Sequence, residues 1–154
     1  PNVRSTSPET LEKSVDVLNS YLRGEISAVE TYQMAATKIS EPSLRAALDE
    51  CLRSHEERVN LLRTRIQQLG GRPSGGSGVW GGFAKLVEGG AKVFGARAAL
   101  AALEEGEDYG LKMYRAHEEL EKLEAESRRL VESQLRPAQE STHARMSGLK
   151  HSFH

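Results

Sequence analysis

Apolar residues recur along this chain at alternating steps of three and four, the spacing of one buried face on an α-helix. The first stripe runs Leu11, Val15, Leu18, Leu22, then Glu25, then Val29, Tyr32, Ala36 and Ile39. Ser7 is placed to cap it, Pro8 suits a first helical position, and Glu9 complements the positive helix end, so the helix should start near Pro8. Pro42 breaks the pattern and restarts it. The second stripe reads Leu44, Leu48, Leu52, His55, Val59, Leu62, Ile66 and Leu69, and it places a histidine in the core.

The stretch LGGRPSGGSG then ends the second helix, with glycines to cap it and a proline to prevent continuation. After it, Trp80, Phe83, Val87 and Phe94 read as the inner face of a short, glycine-interrupted crossover. A third long helix is expected from about Ala96, with a stripe at Leu100, Leu103, Glu107, Gly110 or Leu111, Tyr114 and His117. No glycine or proline marks the next turn, and the break is placed near Glu124 to Ser127. The inner face of the fourth helix reads Leu135, Gln139, Thr142, Met146 and Leu149, and Pro137 should kink that helix by removing a hydrogen bond.

Two helical hairpins joined by a long connection describe an all-α fold: an antiparallel four-helix bundle with a crossover between helices 2 and 3. The sequence of 154 residues suits one domain. That domain is expected over residues 8–150, with residues 70–95 as the crossover and flexible ends at 1–7 and 151–154. The stretches RGEISAVETY and EGEDYGLKMY each set a tyrosine seven positions after a glutamate, Glu25 with Tyr32 and Glu107 with Tyr114. They read as a degenerate internal repeat whose pseudo-symmetry brings the two acids face to face.

Charge narrows the classes of partner. The net charge is −1, and Lys and Arg interleave with Asp and Glu, so no electrostatic footprint for nucleic acid or an anionic membrane is present. Lys85, Glu88 and Lys92 argue against a membrane span in the crossover. The single cysteine, Cys51, has no internal partner for a disulfide and reads as a small apolar residue in a cytoplasmic protein.

The chemistry lies in the buried acids. An ionised carboxylate in an apolar seam is costly unless compensated. A pair of metal ions bridged by carboxylates would compensate Glu25 and Glu107; so would a shared proton, or bonds to His55. Carboxylate di-iron bundles take one Glu from each of two helices and a Glu-x-x-His pair from each of the others. The fourth helix carries ESTH, Glu140 and His143, at that spacing, whereas the second carries LRSH, with Leu52 where the Glu would stand. Tyr32 and Tyr114 read as core residues whose hydroxyls bond the site carboxylates.

GEISAVETY, LGGRP, GVWGGFAKLVEGGAKVFG, GEDYGLKMY and RPAQESTH together resemble the bacterial ferritin-like four-helix-bundle proteins of unassigned function. Glu25 with Tyr32 is similar, more distantly, to the first helix of rubrerythrins and bacterioferritins. The resemblance implies a ferritin-like fold and a metal site of Glu25, His55, Glu107, Glu140 and His143, holding two irons or another divalent metal. Its implied function is iron oxidation or peroxide-linked stress protection. A metal-free helical scaffold or stress-associated interaction module is the alternative, favoured by Leu52 and by the helix-four stripe. A homodimer through the apolar crossover around Trp80 and Phe83 is the expected assembly.

Overall fold

The structure, a computed structural model, describes residues 6–78 and 81–152, with side chains as far as residue 149. The expectations placed on residues 1–5, Trp80 and residues 153–154 lie outside the described residues. Helix α1 spans Pro8–Lys38, capped by the Ser7 hydroxyl, which accepts from the Thr10 amide at 3.2 Å. Helix α2 spans Pro42–Gln68, with Glu41 accepting from the Ser43 and Leu44 amides. At its end Gly70 adopts φ +80°, a conformation open to glycine at no steric cost. The linker is pinned back onto α1 by Asn19, which donates to the Arg72 carbonyl and accepts from the Ser74 amide.

The crossover contains α3, Phe83–Phe94, and Gly95 at φ +84° turns the chain into α4, Ala96–Arg115. The third stripe ends sooner than its periodicity implies. Ala116 is extended, a short α5 follows over His117–Glu121, and His117 lies on the surface, paired with Glu121. The next break falls where it is expected. Glu124 caps α6, Ala125–Leu130, by accepting from the Glu126 and Ser127 amides, and Arg65 on α2 donates to the same carboxylate at 2.8 Å.

A five-residue π-helical turn, Val131–Leu135, leads into α7, Arg136–Ser152. The Arg136 amide reaches back to the Val131 carbonyl, so the ladder widens by one residue just ahead of Pro137. The wider turn accommodates the proline that sequence alone reads as a kink.

Helix α1 packs against α2, and α4 against α7, with α3 laid over α1 and α4. Two apolar clusters fill the bundle, one around Leu18, Leu22, Leu62 and Leu135, the other around Leu48, Leu100, Leu103 and Met146. Between them lies a polar layer. Among the described residues the chain is helical throughout its regular structure, and no helix is long and apolar enough to cross a membrane.

Candidate functional site

Four helices supply the polar layer: Glu25 and Tyr32 from α1, His55 and Arg58 from α2, Glu107 and Tyr114 from α4, Gln139 and Thr142 from α7. All eight are buried, and Arg58 is only 1% exposed. Each occupies an inward position on a helix whose other inward residues are mostly apolar, so the flanking clusters fix its rotation toward the centre.

His55 is the hinge of the arrangement. Its Nδ1 lies 2.5 Å from Glu25 Oε1 and its Nε2 lies 2.6 Å from Glu107 Oε2. Both nitrogens can donate to carboxylates at once only in the imidazolium form. The Tyr32 ring stacks on the imidazole at 5.2 Å, a face that favours the cation.

Arg58 supplies the second cation. Its Nη1 donates to Glu25 Oε2 at 3.3 Å and, closely, to Gln139 Oε1; its Nη2 donates to Thr142 Oγ1 at 3.0 Å and Ser54 Oγ at 3.2 Å. Gln139 Nε2 donates to Glu107 Oε1 at 2.9 Å and to the Glu107 carbonyl at 2.8 Å, and the Thr142 hydroxyl donates to Oε1 at 2.6 Å. The tyrosine hydroxyls complete the set, Tyr32 on Glu107 at 2.7 Å and Tyr114 on Glu25 at 2.5 Å. Two carboxylates thus face one imidazolium and one guanidinium, and the formal charges cancel.

The electrostatics follow from this geometry. Burial by itself would raise Glu25, but Arg58 and His55 outweigh it and bring its pKa down to about 2. Glu107 is lowered in the same way, with His55 and Thr142 opposing its burial. Burial would depress His55, and Arg58 adds to that; the carboxylates of Glu25 and Glu107 prevail and raise it. Burial, and then the adjoining carboxylates, push Tyr32 and Tyr114 well above the ordinary phenol value, so both remain donors. Burial also pushes the Cys51 thiol up to about 12, in keeping with a small apolar role.

Of the five residues carried over from the family pattern, the structure brings together Glu25, His55 and Glu107. It leaves Glu140 and His143 on the flank of α7. Glu140 is exposed and pairs with Arg115 at 3.0 Å, and His143 lies 3.5 Å from Asp108. The inward pair at i, i+3 on α7 is Gln139 and Thr142, and on α2 it is Leu52 and His55. Leu52 packs against the apolar cluster around Leu48.

Among the described residues, no group of three or more His, Cys, Asp or Glu side chains is arranged to hold a metal ion. The donor set gives the reason. Every carboxylate oxygen already accepts from a neighbouring side chain, the His55 ring spans the gap between the two acids, and the Arg58 guanidinium lies beside Glu25. The residues present do not fit a di-metal pair. Sequence reading placed Gln139 and Thr142 inside without giving them partners, and it missed Arg58 altogether. A signal was available: an arginine three positions after a seam histidine shares its helix face and can answer a buried acid.

Comparisons with known proteins agree on the scaffold. The family described as "Domain of unknown function (DUF2383)" matches residues 13–120. A 3-demethoxyubiquinol 3-hydroxylase from Alcanivorax borkumensis is 32% identical over 94 residues, which are 61% of this chain and 43% of that enzyme. The chain therefore spans less than half the length of that relative. A crystal structure of a ferritin-like, diiron-carboxylate protein from Bacillus anthracis strain Ames superposes with a TM-score of 0.63 at 19% identity, covering 96% of each chain. The fold is ferritin-like.

Proposed function

We propose that this chain, which belongs to the DUF2383 family, works as a metal-free ferritin-like module whose acid centre is neutralised by its own side chains. The observation that carries this reading is Arg58, whose guanidinium is buried in the polar layer and bonds Glu25, Gln139, Thr142 and Ser54. In a carboxylate di-iron bundle the cations that offset the acids are the metals, held by two Glu-x-x-His pairs. Here the corresponding inward pairs are Leu52 with His55 and Gln139 with Thr142, and the cations are His55 and Arg58. The network locks four helices in one register, a role well suited to buried ion pairs.

The test is anaerobic ferrous titration of metal-stripped protein, followed by oxygen while the near-ultraviolet and visible spectrum is recorded. The expected result is no binding above that of a Glu25→Ala/Glu107→Ala control. Stoichiometric binding that the control abolishes would replace this reading with a di-iron site on Glu25, His55 and Glu107, and with the oxidase chemistry such a pair supplies.

A module of this kind acts through its surface, and α3 offers one. Leu86, Val93 and Phe94 are 75%, 73% and 76% exposed, while Phe83 and Val87 turn inward. Gly89 and Gly90 lie midway along the stripe, and a Cβ at either would meet nothing within 4 Å. A second copy in antiparallel orientation would set Leu86 against Val93 on both sides of these glycines, a self-complementary contact of the kind that closes twofold dimers. The proposed dimer thus uses the outer face of the crossover, with Phe83 half-buried against the core.

A further inference from the structure

A cavity of about 310 Å³ lies between α1 and α4, beside the polar layer, with Phe83 of α3 in its wall. That volume is at the lower end of the range of about 300–1,000 Å³ typical of small-molecule sites. Ala28, Leu103, Met113 and the Phe83 ring give it apolar walls. Gly24 and Gly106 also line it, from inside helices, where glycine is less favourable than alanine and needs a packing or functional reason. A Cβ on Gly24 would stand 3.3 Å from the Met113 methyl, and a Cβ on Gly106 would stand 3.3 Å from two ring atoms of Phe83. Any larger side chain at either position would meet a wall residue.

Exposure defines the mouth. Of the lining residues only Glu105 and Tyr109 are exposed, and the rest are buried or half-buried. Side chains four positions apart on a helix have Cβ atoms about 5–6 Å apart, so this carboxylate and this ring are neighbours on the rim.

The charges along the lining are unequal. Glu25, Glu105 and Glu107 bring carboxylates and His55 an imidazolium, and no Lys or Arg stands among the lining residues. Glu25 and Glu107 are committed within the polar layer, where each of their oxygens accepts from a side chain, and Arg58, outside the lining, offsets one of them. Glu105 is different: among the described residues its carboxylate has no ion-pair or hydrogen-bond partner. One negative charge is therefore left over, at the mouth, beside an aromatic ring. A cation there would meet both the carboxylate and the ring face. Deeper in, between apolar walls, an ammonium group would be costly, and an anion would meet like charge at the rim. The occupant is thus oriented, with its apolar end inward and its charge at the mouth.

We propose that this cavity binds a small aryl-alkyl ammonium ion, its ring between α1 and α4 and its charge held at the rim by Glu105 and Tyr109. This goes beyond the metal-free reading of the polar layer and does not depend on it, because the rim takes no part in that layer.

The experiment titrates metal-stripped full-length chain with 2-naphthylethylamine, 2-ethylnaphthalene and 2-naphthylacetate at neutral pH, followed by their own fluorescence. Saturable binding of the amine at one per chain is expected, roughly three- to thirtyfold tighter than the hydrocarbon, which is what an exposed ion pair and an exposed cation–π contact supply together. The acetate should bind more weakly than either, and added salt should shrink the preference for the amine. Glu105→Gln alters an exposed side chain and should fold as the parent does; it should leave the hydrocarbon's affinity unchanged and reduce the preference, and adding Tyr109→Leu should erase what remains. Ala28→Trp, or Gly106→Leu if that variant fails to fold, should abolish binding of amine and hydrocarbon alike. Absence of saturable amine binding, binding that survives the filled cavity, an acetate or hydrocarbon affinity equal to that of the amine, or an unchanged preference in Glu105→Gln would each overturn the proposal. Because the readout uses no metal, it is separate from the ferrous titration.

Discussion

The Tyr32 hydroxyl on α1 donates to Glu107 on α4, 2.7 Å away, rather than to Glu25 on its own helix. Tyr114 on α4 returns the bond to Glu25 on α1. The repeated Glu and Tyr phrase is therefore a crossed pair in space, each half completing the acid of the other. A local repeat has become a tertiary lock.

That crossing predicts the effect of removing either hydroxyl. Tyr32→Phe and Tyr114→Phe should each destabilise the bundle by about 1.5–3 kcal/mol, the range for hydrogen bonds to a charged group. Because His55 links both acids, the double variant should depart from the sum. Urea unfolding of the four proteins measures both quantities, and additive losses would mean that the two acids are uncoupled.

Arg58→Met should cost more, about 3–5 kcal/mol, because it leaves the Glu25 carboxylate short of a counter-charge in a buried layer. Adding Glu25→Gln should recover part of that loss, since an amide needs no cation. If Arg58→Met unfolds at the parent's urea midpoint, the guanidinium does not neutralise the centre.

Stability should peak on the acid side of neutrality. Glu25 is depressed to about 2 from an ordinary 4.5, so its contribution is complete above 4.5 and disappears as pH falls toward 2. His55 is raised above its ordinary 6.5, so its contribution is complete below 6.5 and is lost as pH rises through its folded value. Denaturation midpoints should be highest between 4.5 and 6.5 and decline on both sides. In His55→Gln the alkaline decline due to this group should vanish.

Metal binding should be recoverable by restoring the ligand pairs. Leu52→Glu, Gln139→Glu and Thr142→His create Glu-x-x-His pairs on α2 and α7, and Arg58→Leu removes the competing cation. With Glu25, His55 and Glu107 retained, this protein should bind a pair of divalent ions that the parent does not, as judged by equilibrium dialysis against zinc. Failure of a folded variant to bind would indicate that the bundle geometry, and not the side chains alone, excludes the pair.

The outer face of α3 gives a further outcome. Sedimentation should find the parent as a dimer and Leu86→Asp/Phe94→Asp as a monomer with unchanged helicity. A monomeric parent would leave that face without the second copy proposed for it.

The sequence by itself determined the long helices α1 and α2 and the start of α4, because three-and-four periodicity, prolines and glycines are local signals; it did not show the break at Ala116 or the π-helical turn. It also determined that Glu25, His55 and Glu107 face the interior, since each interrupts an apolar stripe in phase. The stripe through Leu135, Gln139, Thr142 and Met146 indicated which face of α7 is inside, and those four residues are buried. What only the tertiary structure decided is who answers the acids. Successive helix positions point about 100° apart. The rotation that turns Gln139 and Thr142 inward therefore carries Glu140 and His143 to the flank, despite their metal-ligand spacing. Arg58 is separated from Glu25 by 33 residues and from Thr142 by 84, so its role appears only when α1, α2 and α7 close around it. A buried charge announces that it needs a partner; which partner it gets depends on how the helices are rotated against one another.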